Sequence, residues 1–573
     1  MDHGNSSSRY ARLAAVGLVL TGVLRIVATY HDFNQAYDEP AHIACGMEWL
    51  DKGTFQMEPQ HPPLPRVLSA LGPYLAGLRL PEVGFVAGNP ANGHDFYGAG
   101  NQILYSRGQY LRNLTLARLG TLPFFVFACW ITFVWARSLL GDWPAAVAVF
   151  LLTTLPVALG YSALAYVDPA LMAMFPAALL ALVWWLDGPR WGRSAVLGAA
   201  VAGMALANAP WMVFFPPCAV AILACRWWAV GGEALGPWVK RWARPFGLAL
   251  LAAALVLWGG YRFSVERLDR VLENPGKSVE HLHLPPLVKA LVFKVIAINP
   301  ELPAPAFFQG VGRAIGENGK LYPAYLFGKV RRGGWWYFYF FMLAFKTPPG
   351  FLALALVGAG WALRKFWRGR DWRAAVPAVC VLVILLMGMA IKVDLGVRTI
   401  LFVYPLLAIL GAVACQEIWA LRDMSPRLVR AGLLAVLAWL AAEGVWLHPN
   451  YLTYTSALAG RPPDYSLVLD ADFDAGQNVL RLAQVLRQHK VEHLKLRLYT
   501  SADLTQMGLP PFETLAPYEK ATGWVAVSVH NLRTGDGPWY PEKADGYAWL
   551  NAHPAVASPV DQSIRLYFVP DGR

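Results

Sequence analysis

The sequence predicts a polytopic α-helical membrane protein with a small α/β domain outside the bilayer, and three observations carry that expectation: composition, a series of long apolar stretches, and the sidedness of its charges. Of 573 residues, 56% are hydrophobic and only 15% charged, and the mean hydropathy is +0.38. A soluble fold of this length has no core large enough for that much apolar surface. Stretches of the length that crosses a bilayer as helix, about 17 to 25 residues, fall at 12–30, 115–136, 144–161, 168–186, 194–210, 211–229, 245–262, 337–363, 374–391, 399–421 and 430–447. The count is about eleven spans. A secretory signal peptide is the competing reading of the first stretch, which follows Arg9 and Arg12. It is set aside because no small-residue cleavage site follows and the chain continues as a polytopic protein.

Short loops rich in Lys and Arg stay in the cytoplasm. With the N-terminus inside, Arg9, Arg137, Arg190, the run Lys240 to Arg244, the run Arg364 to Arg373 and Arg427 all fall on one side. The opposite side then receives loops 31–114 and 263–336 and the tail 448–573, so the chain divides into a membrane domain, 1–447, and an outer α/β domain, 448–573. The net charge of +12 follows from this bias and calls for no nucleic acid. Cys129, Cys218, Cys225, Cys380 and Cys415 lie in or beside spans, which leaves Cys45 alone on the outer face and excludes a disulfide framework there.

The first outer loop opens on Asp38-Glu39-Pro40-Ala41-His42, followed by Ile43, Met47 and Leu50 at helical spacing. That pattern predicts an amphipathic helix lying flat in the interface, with Pro40 in its first turn and Asp38 or Glu39 as its cap. Next comes Glu58-Pro59-Gln60-His61-Pro62-Pro63-Leu64-Pro65-Arg66, where prolines fix the backbone before helix resumes. The second outer loop holds a glycine-bearing stretch, Gly310 to Gly319, read as a flexible loop, and ends in the aromatic run Trp335 to Phe341. The run suits a membrane boundary, and sugar stacking is its alternative. In the tail, Ser466 to Leu469, His493 to Tyr499 and Trp524 to Val529 read as strands and Gly476 to His489 as an amphipathic helix. No fixed-period repeat occurs.

Acids and cations at headgroup depth suit one chemistry, the transfer of a sugar from a lipid phosphate. It needs a carboxylate to take the acceptor's proton and cations or a metal for the departing phosphate. Asp38 and Glu39 follow the first span closely, and helix capping is their structural alternative. Glu58 and His61 suit either a site or a proline-held loop, and Arg66 either a phosphate contact or a solvated side chain. Asp168 stands at the outer end of the fourth span, where caps are common. Lys346, before Thr347-Pro348-Pro349, is an ionisable group in an apolar segment, with snorkelling as the bland explanation. Arg398 closes the turn Lys392 to Arg398 and suits either a bidentate phosphate contact or a pair with Asp394; Arg25 is ambiguous in the same way.

At these residues the chain resembles bacterial membrane glycosyltransferases of the GT-C superfamily, in the group of protein O-mannosyltransferases and the aminoarabinose transferase of lipid A. The resemblance rests on Asp38-Glu39-Pro40-Ala41-His42; His61-Pro62-Pro63-Leu64; Gly334 to Tyr337 through Phe345-Lys346-Thr347-Pro348; Gly396-Val397-Arg398 with Tyr404-Pro405; and, more weakly, Leu469 to Gln477. It implies a GT-C fold, a polyprenyl phosphate sugar donor and inversion at the anomeric carbon. It also implies Asp38 as general base, or as the acid that orients the acceptor, supported by Glu39, Asp168 as a second outer acid, Lys346 and Arg398 as basic positions suited to the carrier phosphate, and His61 at a place where some relatives have lysine; His42, Glu58 and Arg66 join these three as candidate substrate-binding residues. Two departures stand out. Relatives often carry Glu directly before His-Pro-Pro, where this chain has Gln60, and Trp-Gly-Gln where it has Ala475-Gly476-Gln477.

The expectation is therefore an inverting, undecaprenyl-phosphate-sugar-dependent glycosyltransferase of the bacterial inner membrane. Its outward site would serve a glycan, lipid or protein acceptor among membrane lipids. A divalent cation, Mg or Mn, is a candidate cofactor without a secure ligand set. The rival is a transporter or flippase of lipid-linked glycan, which predicts midplane charges and repeated halves.

Overall fold

A computed structural model describes residues 2–82, 95–232, 235–271, 286–421, 425–459, 473–535, 543–560 and 563–571. All eleven expected apolar stretches fall on helices. In the first half these are α1 (Asp2–Ala28), α5 (Tyr110–Leu140), α6 (Asp142–Thr153), α7 (Pro156–Ser162), α8 (Asp168–Asp187), α9 (Trp191–Ala205), α10 (Trp211–Val230) and α11 (Leu235–Gly260). Among the described residues seven helices are long and apolar enough to cross a membrane, and α6 with α7, bent by 66°, would make an eighth. Large apolar side chains lie bare along them, such as Leu13, Leu20 and Leu24 on α1 and Leu250 and Leu251 on α11. Surface of that kind is stable against lipid and not against water.

The bend between α6 and α7 has a cause in the sequence. Pro156 has no N–H to give, so the ladder breaks there. Arg25 reaches into the break. Its guanidinium donates to the carbonyls of Thr153 and Gly444 and to the Tyr451 hydroxyl, so it serves as a lock inside the bundle and not as part of a site. The helix Val403–Ala420 is the centre of the bundle, with every residue from Val403 to Cys415 buried.

The stretch expected as one span at 337–363 is two helices, Phe338–Lys346 and Pro349–Gly369, separated at Thr347-Pro348. Proline again forces the break, because the residue before it is pushed out of helical conformation, and Thr347 is extended at ψ 135.

On the end of the bundle that carries Asp38 lie α2 (Glu39–Asp51), α3 (Pro63–Leu75) and α4 (Phe96–Tyr105). The expected interfacial helix with one wet face is instead buried on every side from Glu39 to Glu48. It packs between α3 and α4 at close range. A Cβ on Gly46 would stand 1.9 Å from the Arg66 carbonyl oxygen, and one on Gly100 would stand 2.0 Å from that of Pro40. The stretch Gly310 to Gly319, expected as a loop, belongs to a helix, Pro305–Gly319. Gly310 touches the Pro59 carbonyl, with 2.3 Å left for a Cβ; contact with the first loop overrides the low helix propensity of its glycines.

Towards the C-terminus, residues 449–459 run back over the bundle, where the Ser456 amide donates to the Phe345 carbonyl. The helix Val479–Gln488 then packs Leu482 and Leu486 on a five-stranded sheet. Its strands are β5 (Leu494–Arg497), β6 (Phe512–Thr514), β7 (Gly523–Ser528), β8 (Ala555–Val560) and β9 (Ile564–Val569), in the order β6-β5-β7-β9-β8. The two-stranded ribbons β1 (Val265–Arg267) with β2 (Glu301–Pro303), and β3 (Pro323–Leu326) with β4 (Lys329–Arg332), lie between α11 and the helix Phe338–Lys346. β5 is parallel to both neighbours, and β9 is antiparallel to β7 and β8. The strands expected at 493–499 and 524–529 are thus β5 and β7; the one expected at 466–469 lies outside the described residues.

Candidate active site

Asp38 precedes the first turn of α2, and its side chain does not cap that helix. The carboxylate points away into a cluster. Tyr97 donates to Oδ1 at 3.1 Å, and Arg398 Nη1 donates to Oδ2 at 3.1 Å. The Asp38 amide donates to the Tyr166 hydroxyl at 3.3 Å. The carboxylate remains 28% exposed and the Arg398 side chain 16%, so the pair is fixed in place and still reachable.

Glu39, one residue on, has a different position and a different task. It is 0% exposed and bound at both oxygens by Arg118, at 2.9 and 2.8 Å. It also accepts the amides of Ala36 and Ala165, each at 2.7 Å. Arg118 donates further to the carbonyls of Phe33 and Asn34. Glu39 therefore anchors the segment that presents Asp38, and its oxygens are committed to that anchor.

The His-Pro-Pro segment packs behind the pair. Arg66, buried at the start of α3, donates to the Glu58 carboxylate, to the Glu58 carbonyl at 2.7 Å and to His42 Nδ1 at 3.1 Å. Glu58 also meets His61 Nδ1 at 3.0 Å. Burial opposes charge on Glu58, but the Arg66 guanidinium and the His61 ring hold its carboxyl well below the usual range. His42 goes the other way: burial first, then the Arg66 charge, press it well below the ordinary imidazole value. Its ring is neutral, with Nδ1 accepting the hydrogen bond from Arg66 and Nε2 carrying the ring proton. His61 stands 5.6 Å from His42, ring to ring, with 34% of its side chain exposed. Of these four residues, His61 is the one that faces outward.

Asp168 opens α8 and is 8% exposed, and Asn208 donates to its Oδ1 at 3.2 Å. It lies beside Arg398. Burial opposes the guanidinium charge, but Asp38 and then Asp168 hold Arg398 protonated above the ordinary arginine value. Arg398 therefore pairs with Asp38, while Asp394 accepts the amide of Trp335 at 2.9 Å. Lys346 is 1% exposed, donates to the Leu452 carbonyl at 2.9 Å and lies 4.2 Å from the centre of the Phe473 ring. Those contacts place it with Leu452 and Phe473; the described contacts do not bring it to Asp38.

Sequence reasoning missed Arg118, Tyr97 and Asn208. Arg118 did carry a signal, a guanidinium inside the stretch 115–136; the other two had none.

The donor set does not suit a metal. Asp38, Glu39 and Glu58 each have an arginine on the carboxylate, and among the described residues no three His, Cys, Asp or Glu side chains converge on one point.

No family model matches the chain, and no curated protein matches it. Solved structures do. ArnT from Cupriavidus metallidurans bound to undecaprenyl phosphate is 13% identical, with 96% of this chain and 97% of that chain covered and a TM-score of 0.48. The Archaeoglobus fulgidus oligosaccharyltransferase tethered with an acceptor peptide is 11% identical, covering 94% and 72% at a TM-score of 0.44. The arabinofuranosyltransferase AftD from Mycobacteria is 13% identical, covering 98% and 40% at 0.40. These are likenesses in the run of elements, and what the site does is argued from its own residues. The chain is a multi-pass membrane protein, and over 96% of its length it is similar to the ArnT structure.

Proposed function

We propose that the protein is an inverting glycosyltransferase of the bacterial inner membrane. It would move one sugar from an undecaprenyl-type phosphate to a glycan, lipid or protein acceptor on the outer side. One observation carries this reading: a reachable carboxylate, Asp38, held at both oxygens by Tyr97 and Arg398 beside the end of an apolar bundle.

An acceptor hydroxyl that displaces Tyr97 or Arg398 from an Asp38 oxygen gives that oxygen its proton as its own oxygen bonds to the anomeric carbon. The bond from that carbon to the phosphate oxygen breaks on the opposite face, which inverts the centre, and the phosphate leaves with the electron pair. Arg398, freed from Asp38 as the acid is protonated, is a cation available to the charge that develops on the phosphate. His61, the exposed member of the pair, offers a ring N–H donor with the neutral His42 against its ring, and the Asp168 charge lies beside Arg398. Glu39, Glu58 and Arg66 act on this chemistry by fixing Asp38 and the two histidines. Lys346 is proposed as a carrier contact away from the reacting atoms. The positive-inside bias of the loops supports the orientation, and 1–447 and 448–573 are proposed as the membrane and outer domains.

The test supplies polyprenyl phosphates carrying labelled sugars to the purified protein in lipid, with an acceptor-bearing membrane extract, and compares wild type with Asp38→Asn. The expected loss in the variant is about a hundredfold or more. Unchanged transfer by the variant, or lipid movement without any label transferred, would assign the chain to the transporter class instead.

A further inference from the structure

The segment that presents Asp38 has no regular structure of its own, yet every amide from Asn34 to Glu39 is bonded. Asn34 N donates to the Gln477 carbonyl at 3.1 Å, Tyr37 N to that of Ala475 at 2.7 Å and Glu39 N to that of Ala36 at 3.2 Å. Gln35 N donates to the Tyr110 hydroxyl and Ala36 N to Glu39 Oε2, both at 2.7 Å, and Asp38 N to Tyr166. The Asn34 side chain continues the join. Its Nδ2 donates to the Gly476 carbonyl at 2.8 Å, and its Oδ1 accepts from Val479 N at 2.7 Å. That amide begins the helix Val479–Gln488, which has no side-chain cap from its own chain end. Gly476 makes the fit possible: its φ is +80, and a Cβ would meet the Tyr499 carbonyl at 2.7 Å.

A second set of contacts runs through aromatic rings. His530 stacks on Tyr499 at 4.1 Å, Tyr499 on Tyr37 at 4.7 Å, and Tyr37 meets Tyr97 edge to face at 5.5 Å. Tyr97 is the donor to Asp38 Oδ1. Burial pushes His530 down to about 4, so the stack is uncharged at neutral pH and acts by shape.

We propose that the C-terminal domain is a positioning device for Asp38: the carbonyls of Ala475 and Gln477 hold the backbone of residues 34–37, that of Gly476 holds the Asn34 side chain, and the His530-Tyr499-Tyr37 stack braces Tyr97 against the carboxylate. Ordering a free loop costs conformational entropy at every residue, and a reacting group displaced by 1 Å loses about a hundredfold in rate. The domain supplies the contacts that offset the first and prevent the second. Ala475-Gly476-Gln477 thus has a task in this chain that needs no ring at position 475. The inference rests on the reading of Asp38 as the proton acceptor.

The experiment uses full-length Tyr499→Ala, Tyr499→Phe and Asn34→Ala, with hydrogen exchange of peptides covering 34–38 and transfer kinetics. In both alanine variants the segment is expected to exchange about tenfold or more faster. kcat is expected to fall by about tenfold or more while KM for the donor stays within about twofold, and Tyr499→Phe, which keeps the ring, restores both readouts. Unchanged exchange in both alanine variants overturns the proposal. So does a Tyr499→Phe as slow as Tyr499→Ala, which would place that hydroxyl on substrate. If Tyr499→Ala does not fold, Asn34→Ala carries the same comparison. If the wild type transfers no sugar, the functional reading falls, while the exchange measurement still decides whether the domain holds the segment.

Discussion

Arg118→Met isolates the anchor beneath the site. The wild-type side chain is 1% exposed and its partner Glu39 0%. Besides both Glu39 oxygens, it serves the carbonyls of Tyr30, Phe33 and Asn34, at 3.4, 3.1 and 2.9 Å. Methionine fills much of the volume and donates nothing, so Glu39 keeps only its two backbone donors and three carbonyls lose theirs. Removing one partner of a buried pair costs about 3–5 kcal/mol, because the other charge stays buried without its match. For a chain of this size that is a fall of about 3–4 °C in melting temperature, measured in detergent and in lipid. Glu39→Gln should also destabilise. The double variant Glu39→Leu with Arg118→Met, which removes both charges, should recover part of the loss and show coupling in the cycle. Melting of Arg118→Met within about one degree of wild type, or strictly additive single variants, would refute the account of Glu39 as an anchored acid.

Acid should weaken the fold through His42. Its folded value lies well below the ordinary one, so the unfolded chain binds the extra proton. The contribution of the neutral ring is full above about pH 6.5 and is lost as pH falls from there towards the folded value; His42→Gln should flatten that part of the stability profile, and an unchanged profile would contradict it. Gly100→Ala puts a methyl 2.0 Å from the Pro40 carbonyl oxygen and should separate α4 from α2. A destabilisation of about 1–3 kcal/mol, with slower transfer because Tyr97 leaves Asp38, is expected in melting and kinetics. Arg398→Gln should lower transfer by about a hundredfold or more without unfolding the protein; wild-type rates would remove Arg398 from the site.

The apolar spans and the acid at Asp38 were legible because each has a local signature: length, hydropathy and a position just beyond a span. What escaped has no local signature. Asn34 and Gly476 are 442 residues apart, and nothing in the periodicity of either segment points to the other. Tyr97 sits in a loop helix whose role appears only when α4 crosses α2 at Gly100. Gly310 to Gly319 looked like a loop because glycine lowers helix propensity, whereas the packing of Gly310 on Pro59 decides the outcome. The split at Thr347-Pro348 was written in the proline, but the surrounding apolar run hid it. Arg398 and Asp394 are near neighbours in sequence, yet the longer-range partner, Asp38, takes the guanidinium, since Asp394 is committed to the Trp335 amide.

The central claim is that the Asp38 carboxylate takes the acceptor's proton during sugar transfer. The most direct measurement is the single-turnover rate of label transfer by wild type and Asp38→Asn at matched occupancy of the polyprenyl phosphate donor. Undiminished donor binding with transfer slowed by about a hundredfold or more is the predicted result. Equal transfer rates at equal occupancy would contradict the claim.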